Sequence, residues 1–241
     1  MTKPLAVVSL SGGLDSTVLL SHVIQTHKAL ALSFNYGQRH VRELVAAKAV
    51  IASHRPVAIG YLAVNLRDVG ELLNNSALTH FATPVPEGHY EAETMKATVV
   101  PNRNAIMANI AIGVASTRGA ELVALGMHAG DHAVYPDCRP EFVEALQSCT
   151  KAALEGFHTP SVEAPFVNMT KADIVKLGAE LGAPMHLSYS CYKGGENHCG
   201  RCGTCVERIE AFRLAGVKDK TVYDDKDFAH KLLDEKGAER A

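Results

Sequence analysis

Long apolar runs are the first thing this 241-residue chain does without. No stretch approaches the roughly 18 consecutive apolar residues of a membrane span, which sets integral membrane roles aside. Positive charge is not in excess either: 24 Lys and Arg stand against 26 Asp and Glu, a formal net charge of -2. Nucleic-acid binding draws on a basic surface, so this balance argues against a nucleic-acid partner. The start of the chain has no charged region leading to a cleavage site, which predicts no export and a cytoplasmic protein. No internal repeat or low-complexity tract is visible. Two common nucleotide signatures are missing as well, since neither Gly-x-x-x-x-Gly-Lys-Ser/Thr nor Gly-x-Gly-x-x-Gly follows the first apolar run.

What the chain has is core. With 47% hydrophobic residues it can bury a large interior, as one domain or one domain with a small appendage. Apolar runs at residues 5–10, 29–34, 57–64 and 121–127 read as strands, and helical spacing fills residues 17–24, 39–52, 102–117 and 139–154. Thr170-Lys171-Ala172-Asp173 has capping-box form and opens a helix reaching Leu181. This alternation predicts an α/β fold with a doubly wound, mostly parallel sheet and helices on both faces. Periodicity fails between Arg67 and Thr98, a connection long enough to suggest a loop over the active site or a plain surface excursion. Residues 221–241 are charge-rich and read as a surface helix with a frayed tail. The expected division is a main domain over 1–186 and a metal-binding segment with C-terminal helices over 187–241.

Between the first strand and the first helix stands Leu10-Ser11-Gly12-Gly13-Leu14-Asp15-Ser16-Thr17. Two glycines there let the backbone turn sharply and bring its amides close to a ligand. The helix start adds unpaired N–H donors and a positive dipole end, so an anion such as phosphate is favoured. Ser11, Ser16 and Thr17 offer hydroxyls, and Asp15 is placed to hold Mg beside phosphate. The plain alternative is a serine-glycine turn with a capped helix.

Six cysteines are present, and four of them form Cys-x7-Cys-x2-Cys-x2-Cys at Cys191, Cys199, Cys202 and Cys205 in a glycine-rich stretch. Four thiolates suit a tetrahedral structural zinc, and the glycines let the backbone curl around it. A disulfide framework is unexpected in a cytoplasmic chain of this size. An iron–sulfur cluster is the rival, although the ferredoxin run continues to a Cys-Pro that is missing after Cys205. His198 is a bystander when four cysteines are at hand.

Taken in order, these motifs resemble the queuosine-pathway ligases of the ATP pyrophosphatase superfamily. The resemblance runs through Ser11 to Ser16, Phe34-Asn35-Tyr36-Gly37-Gln38-Arg39-His40 with Glu43, and Val100-Pro101-Asn102-Arg103-Asn104. It continues through Tyr135-Pro136-Asp137-Cys138-Arg139, Lys171 and the cysteine cluster. Asn102 departs from it, because glycine is common there, and Met127-His128-Ala129 is a variable stretch with no role to carry over.

The resemblance implies an adenine nucleotide α-hydrolase-like fold and ATP as the activating partner, bound through residues 10–17 and Arg39. It implies 7-carboxy-7-deazaguanine as substrate, adenylated by ATP, aminated by ammonium, then adenylated again and dehydrated to the nitrile. Lys171 and Arg39 or Arg103 are the candidate cations around the expelled pyrophosphate, with Lys171 alternatively a surface lysine at a helix start. Asp131, His132 or Asp137 is available to deprotonate ammonium, and the catalytic roles are assigned to Lys171, Asp131 and Arg103. Tyr36, Tyr135, Asp137 and Arg139 are candidates to hold the ring, although Tyr-Pro-Asp also builds ordinary loops. A glutamine-hydrolysing domain has no room in this length, so free ammonium is the expected nitrogen source. A homodimer is implied by the resemblance alone. The rival reading is a tRNA-modifying sulfurtransferase with Cys138 as its persulfide carrier, against which the near-neutral charge weighs.

Overall fold

In the computed structural model, which describes residues 3–54 and 57–239, the chain builds five parallel strands in the order β3-β2-β1-β4-β5. β1 (Leu5–Ser9) is central, flanked by β2 (Lys28–Asn35) and β4 (Leu122–Ala124), with β3 (Ala58–Asn65) and β5 (Ser161–Glu163) at the edges. Register runs Leu5 to Lys28 on one side of β1 and Ala6 to Leu122 on the other. The helices are α1 (Leu14–Val23), α2 (Glu43–Ser53), α3 (Arg67–Leu72), α4 (Ala92–Met95), α5 (Arg103–Arg118), α6 (Pro140–Ala153), α7 (Lys171–Glu180), α8 (Gly203–Ala215) and α9 (Lys226–Glu239).

Period-two alternation decides which helix covers which face. Ala6, Val8 and Leu10 point into one core with Val18 and Leu19 of α1, Val50 of α2, Ile174 of α7 and Phe212 of α8. Val7, Leu30, Leu32 and Val123 point into the other, against Ala111 and Ile112 of α5 and Leu146 of α6. Both faces of the central strands are therefore covered, which is why β1 and β2 read as continuous apolar runs. Strand order reverses at β1, so the crevice beyond the carboxyl ends of β1 and β4 is where a ligand enters such a sheet.

Several boundaries move for local reasons. α1 begins at Leu14 rather than Thr17, directly after Gly13. α2 begins at Glu43 rather than Arg39, because the Gln38 side chain holds the preceding loop: it donates to the Phe34 carbonyl and accepts from the Tyr36 amide, both at 2.9 Å. β4 is three residues long, since the chain leaves the sheet after Leu125 donates to Glu163. β5 buries only Val162 and left no periodic signal, and α8 was hidden behind the cysteine spacing. The expected capping box is present, with Thr170 and Asp173 each accepting from the other's amide. The aperiodic stretch from Arg67 to Thr98 carries the short helices α3 and α4 and one 3-10 turn. The tail helix is α9, while the expected frayed end at 240–241 lies outside the described residues.

Candidate active site

A cavity of about 220 Å³ opens at this switch point. One wall is the loop between β1 and α1, through Ser11, Gly13, Leu14, Asp15 and Ser16. Gly12 takes φ +97, and a Cβ there would collide with the Glu43 carbonyl, so only glycine lets the loop lie against the first turn of α2. The first intrahelical bond runs from the Thr17 amide to the Gly13 carbonyl, which leaves the amides of residues 14–16 without a helical acceptor. Ser11 and Ser16 brace the turn, receiving the Gly13 and Gly12 amides at 3.1 and 3.2 Å. The arrangement is an anion cradle at a helix N-terminus.

Beside it lies a cluster of opposed charges. Lys171, the first residue of α7, sits 2.5 Å from Glu207 of α8 and 3.5 Å from Asp15. His128 accepts the Gly130 amide at Nδ1, so its Nε2 carries the proton and faces Asp131 at 3.3 Å and Asp15 at 3.8 Å. Tyr90 donates to the other oxygen of Asp131 at 2.9 Å. Burial penalises the Lys171 charge, yet Asp15 and Glu207 outweigh it and hold the ammonium firmly protonated. Burial likewise pushes the Asp15 carboxyl up, but Lys171 and His128 bring it below its ordinary value. For Glu207 burial wins over the same two partners and leaves it raised. Asp15 Oδ1 has no hydrogen-bond partner among the described residues. A single lysine thus faces two carboxylates, which leaves negative charge for a divalent cation to offset.

Another part of the cavity is aromatic, lined by Phe34, Tyr36, Tyr135 and Tyr192 with the side chains of His40, Glu43, Arg103 and Asn104, while Tyr189 lies against the loop, its amide donating to the Gly12 carbonyl at 2.8 Å. Arg103 donates to the Tyr36 hydroxyl at 3.2 Å and lies over its ring. Burial, tempered by Arg103, lifts the Tyr36 phenol to about 12. Burial and then the Arg103 charge hold His40 down to about 3, so its imidazole is neutral. Burial pushes the Glu43 carboxyl up to about 7 against the Gln38 hydrogen bond and the Arg103 charge. Asn102, just before Arg103, has φ 58, the only left-handed non-glycine residue among those described. The departure from glycine at this position is thereby accommodated, because asparagine tolerates that conformation.

Lys171, Asp131, Arg103, Tyr36 and Tyr135 all meet in the cavity with Ser11, Gly13, Leu14, Asp15 and Ser16. Other expected site residues are placed elsewhere. Leu10 is wholly buried and bonds Leu32 through its amide, and the Thr17 hydroxyl is spent on the Gly13 carbonyl. Gly12 shapes the loop from behind. Arg39 does not line the cavity: its guanidinium bonds the carbonyls of Ala77, Phe81 and Thr83 at 2.9–3.0 Å and pins that loop. Asp137 accepts the Asn104 amide at 3.1 Å and caps the start of α5, and Arg139 is exposed, bonding the His132 carbonyl. Cys138 does line the cavity, but burial and the charges of Asp131 and Asp137 push its thiol up, away from a thiolate. Sequence reasoning missed Glu207, His128, Tyr90 and Tyr192 as site residues; the buried helix position of Glu207, two after a cysteine, carried no motif.

The four cysteine sulfurs of the C-terminal cluster lie within 4.8 Å of one another and could hold a metal ion. The Cys199–Cys205 and Cys191–Cys202 separations are 3.9 and 4.0 Å. Tetrahedral bonds of about 2.3 Å place sulfurs about 3.8 Å apart, so the set fits a four-thiolate ion. Amides of Arg201 and Cys202 point at the Cys199 sulfur and that of Cys199 at Cys191, at 3.2–3.4 Å, as thiolate ligands require. His198 is occupied elsewhere, accepting the Ser190 amide at 2.9 Å. Cys205 belongs to α8, so the cluster fixes the same helix that delivers Glu207 to Lys171 and Thr204 to the cavity wall.

Residues 5–216 match the family model described as queuosine biosynthesis protein QueC. The 7-cyano-7-deazaguanine synthase of Brucella anthropi is 51% identical over 233 residues, 96% of this chain and 99% of that one. That of Rhizobium meliloti is 54% identical over 224 residues, 92% of this chain and 93% of its own. Among solved structures, the NMN synthetase of Francisella tularensis is similar over 100% of this chain and 87% of that one, at 14% identity and TM-score 0.45. That last likeness is too distant to speak about activity.

Proposed function

The chain belongs to the QueC family of queuosine biosynthesis, and from that premise we propose that a single cavity performs both activations of a nitrile synthesis. The enzyme is a ligase whose product is 7-cyano-7-deazaguanine, the compound its curated relatives are named for. Its substrates are 7-carboxy-7-deazaguanine, ammonia and ATP. The substrate carboxylate attacks the α-phosphate of ATP and expels pyrophosphate. Ammonia then adds at the acyl carbon and AMP leaves, giving the amide. The amide oxygen attacks a second ATP in the same way, and loss of AMP and protons leaves the nitrile.

What supports this reading is the junction of an anion cradle and an aromatic, hydrogen-bonding chamber in a single cavity. The amides of residues 14–16 and the Ser11 and Ser16 hydroxyls take the ATP phosphates. Lys171 stabilises the charge that builds on the departing pyrophosphate, a duty fixed in place by Asp15 and Glu207. Asp131, held by His128 and Tyr90, accepts the proton that ammonium loses. Arg103 and Tyr36 close the ring end. Asp15, with its unpartnered oxygen, is the residue that would hold Mg, which when bound neutralises phosphate charge. The cysteine cluster would hold zinc as a structural ion, anchoring α8. Cytoplasmic residence agrees with thiols kept reduced, and a homodimer belongs to the same reading.

The buried, protonated thiol of Cys138 weighs against sulfur transfer. Purified protein with magnesium ATP, ammonium and the carboxylate, followed by mass spectrometry, tests the proposal. Nitrile with AMP and pyrophosphate is the expected result. Accumulation of the amide would remove the second activation, and absence of AMP would remove the substrate.

A further inference from the structure

His40 and Glu43 stand in the motif that carries the resemblance, line the cavity, and have no part in the chemistry above. Glu43 is the first residue of α2, and its side chain keeps 11% exposure, at the cavity it lines. Its Oε1 accepts from Gln38 at 3.0 Å and lies 3.5 Å from His40 Nε2. Gln38 is itself bonded on both sides, so the carboxylate is held in one orientation. No hydrogen bond reaches Oε2 among the described residues, and no cation pairs with Glu43 there either. Arg103, the nearby guanidinium, is bonded to Tyr36 and Asn104 instead. A carboxylate left with a free oxygen in such a place is an acceptor waiting for a donor.

The walls say what kind of donor. Phe34, Tyr36 and Tyr192 line the same chamber, which suits a flat ring whose edge carries N–H groups. Both rings of the proposed reaction have such an edge: the N1–H and 2-amino group of the deazaguanine, and the 6-amino group of adenine. The Glu43 carbonyl also abuts Gly12, so the acceptor and the phosphate loop form one rigid block at a fixed separation. Resting on the function proposed above, we propose that Glu43 is the specificity-determining acceptor for the amine-bearing edge of a purine-type ring. The raised Glu43 carboxyl fits this role, since arriving N–H donors favour its charged form.

Two analogues distinguish the rings: the substrate with hydrogen in place of its 2-amino group, and purine riboside triphosphate, which is ATP without its 6-amino group. Calorimetric dissociation constants for each ring and its analogue need no turnover, so this proposal and the nitrile synthesis can fail separately. The wild-type protein should bind one analogue about 30-fold more weakly than its parent, the worth of a hydrogen bond to a charged acceptor. In Glu43→Gln that ratio should fall to about threefold or less, because the parent loses more affinity than the analogue. The analogue that responds identifies the ring. Equal binding of parents and analogues by wild-type protein would overturn the proposal without any variant being needed. So would a Glu43→Gln protein that weakens parents and analogues alike.

Discussion

At one end of the cavity the ligand-facing groups are main-chain amides and two hydroxyls from a single run, Ser11 to Ser16. At the other they are side chains brought from separated stretches at residues 34–43, 103–108, 135–138 and 192. The first end is held by backbone geometry and a dense set of opposed charges, Lys171, Asp15, Glu207 and Asp131. The second is held by burial, which leaves His40 neutral, Tyr36 protonated and the Glu43 carboxyl raised to about 7. Damage at the first should therefore appear as lost rate, and damage at the second as altered ring affinity and altered stability.

The largest break should come from Lys171→Ala, which removes the lysine that pairs with Asp15 of the anion cradle and with Glu207. A fall of about a thousandfold in kcat, with ring affinity little changed, is expected from pyrophosphate-release kinetics. A comparable fall in ring affinity would mean that the two ends are not separable. Next is Cys202→Ser, expected to abolish metal binding by the cluster and to loosen α8. Metal content measured by mass spectrometry should drop, and melting should fall by about 10 °C, from roughly 3 kcal/mol of lost stability. An intact melting temperature with the metal gone would detach the cluster from the fold.

Glu43→Gln sharpens the stability half of the comparison. The Glu43 carboxyl stands near 7 in the folded chain against its ordinary 4.5, so the folded state binds more protons than the unfolded one between those values. Stability from this group accordingly decreases as pH rises through that window, and the cost is full above about 7. The variant should be more stable than wild type by about 1–3 kcal/mol at pH 8, with the gain vanishing near pH 4.5. His40, held down to about 3, contributes the opposite slope below 6.5. The difference between the two proteins, rather than either curve, is therefore what calorimetry should follow. Smaller still, Tyr192→Leu should raise KM for the heterocycle about fivefold and leave kcat within about twofold. Smallest is Arg39→Ala: a loss of about 0.5–1 kcal/mol as loop 77–83 loosens, with turnover within about twofold. A large loss of ATP affinity in that variant would return Arg39 to the phosphate end.

The same contrast explains what was legible in the sequence. Residues 11–16 are contiguous, so their glycines, hydroxyls and carboxylate announce a cradle by spacing alone. The cysteine cluster is legible for the same reason, being compressed into Cys191 to Cys205. Strands β1 and β2 were visible as apolar runs because both their faces are buried, whereas β3 reads as apolar although Ile59 and Leu62 stay exposed. β5, three residues long, gave no such run. Glu207 and Tyr90 lie 36 and 41 residues from the partners they bond, and only the fold brings them there. Arg39 misled for a related reason: a basic residue after a strand end looks like a phosphate ligand until the carbonyls of a distant loop are seen to occupy it.

Asn102 carries a consequence for how this enzyme can diverge. Its left-handed backbone admits glycine freely and asparagine at modest cost, while most other side chains lose about 1 kcal/mol or more there. Since it sits immediately before Arg103, a misfit would swing that guanidinium away from Tyr36. The position is in effect a lock with two keys. Lineages that drift toward a new ring preference are free to vary the aromatic walls, but they must keep glycine or asparagine at this silent neighbour, although it is not among the residues that line the cavity.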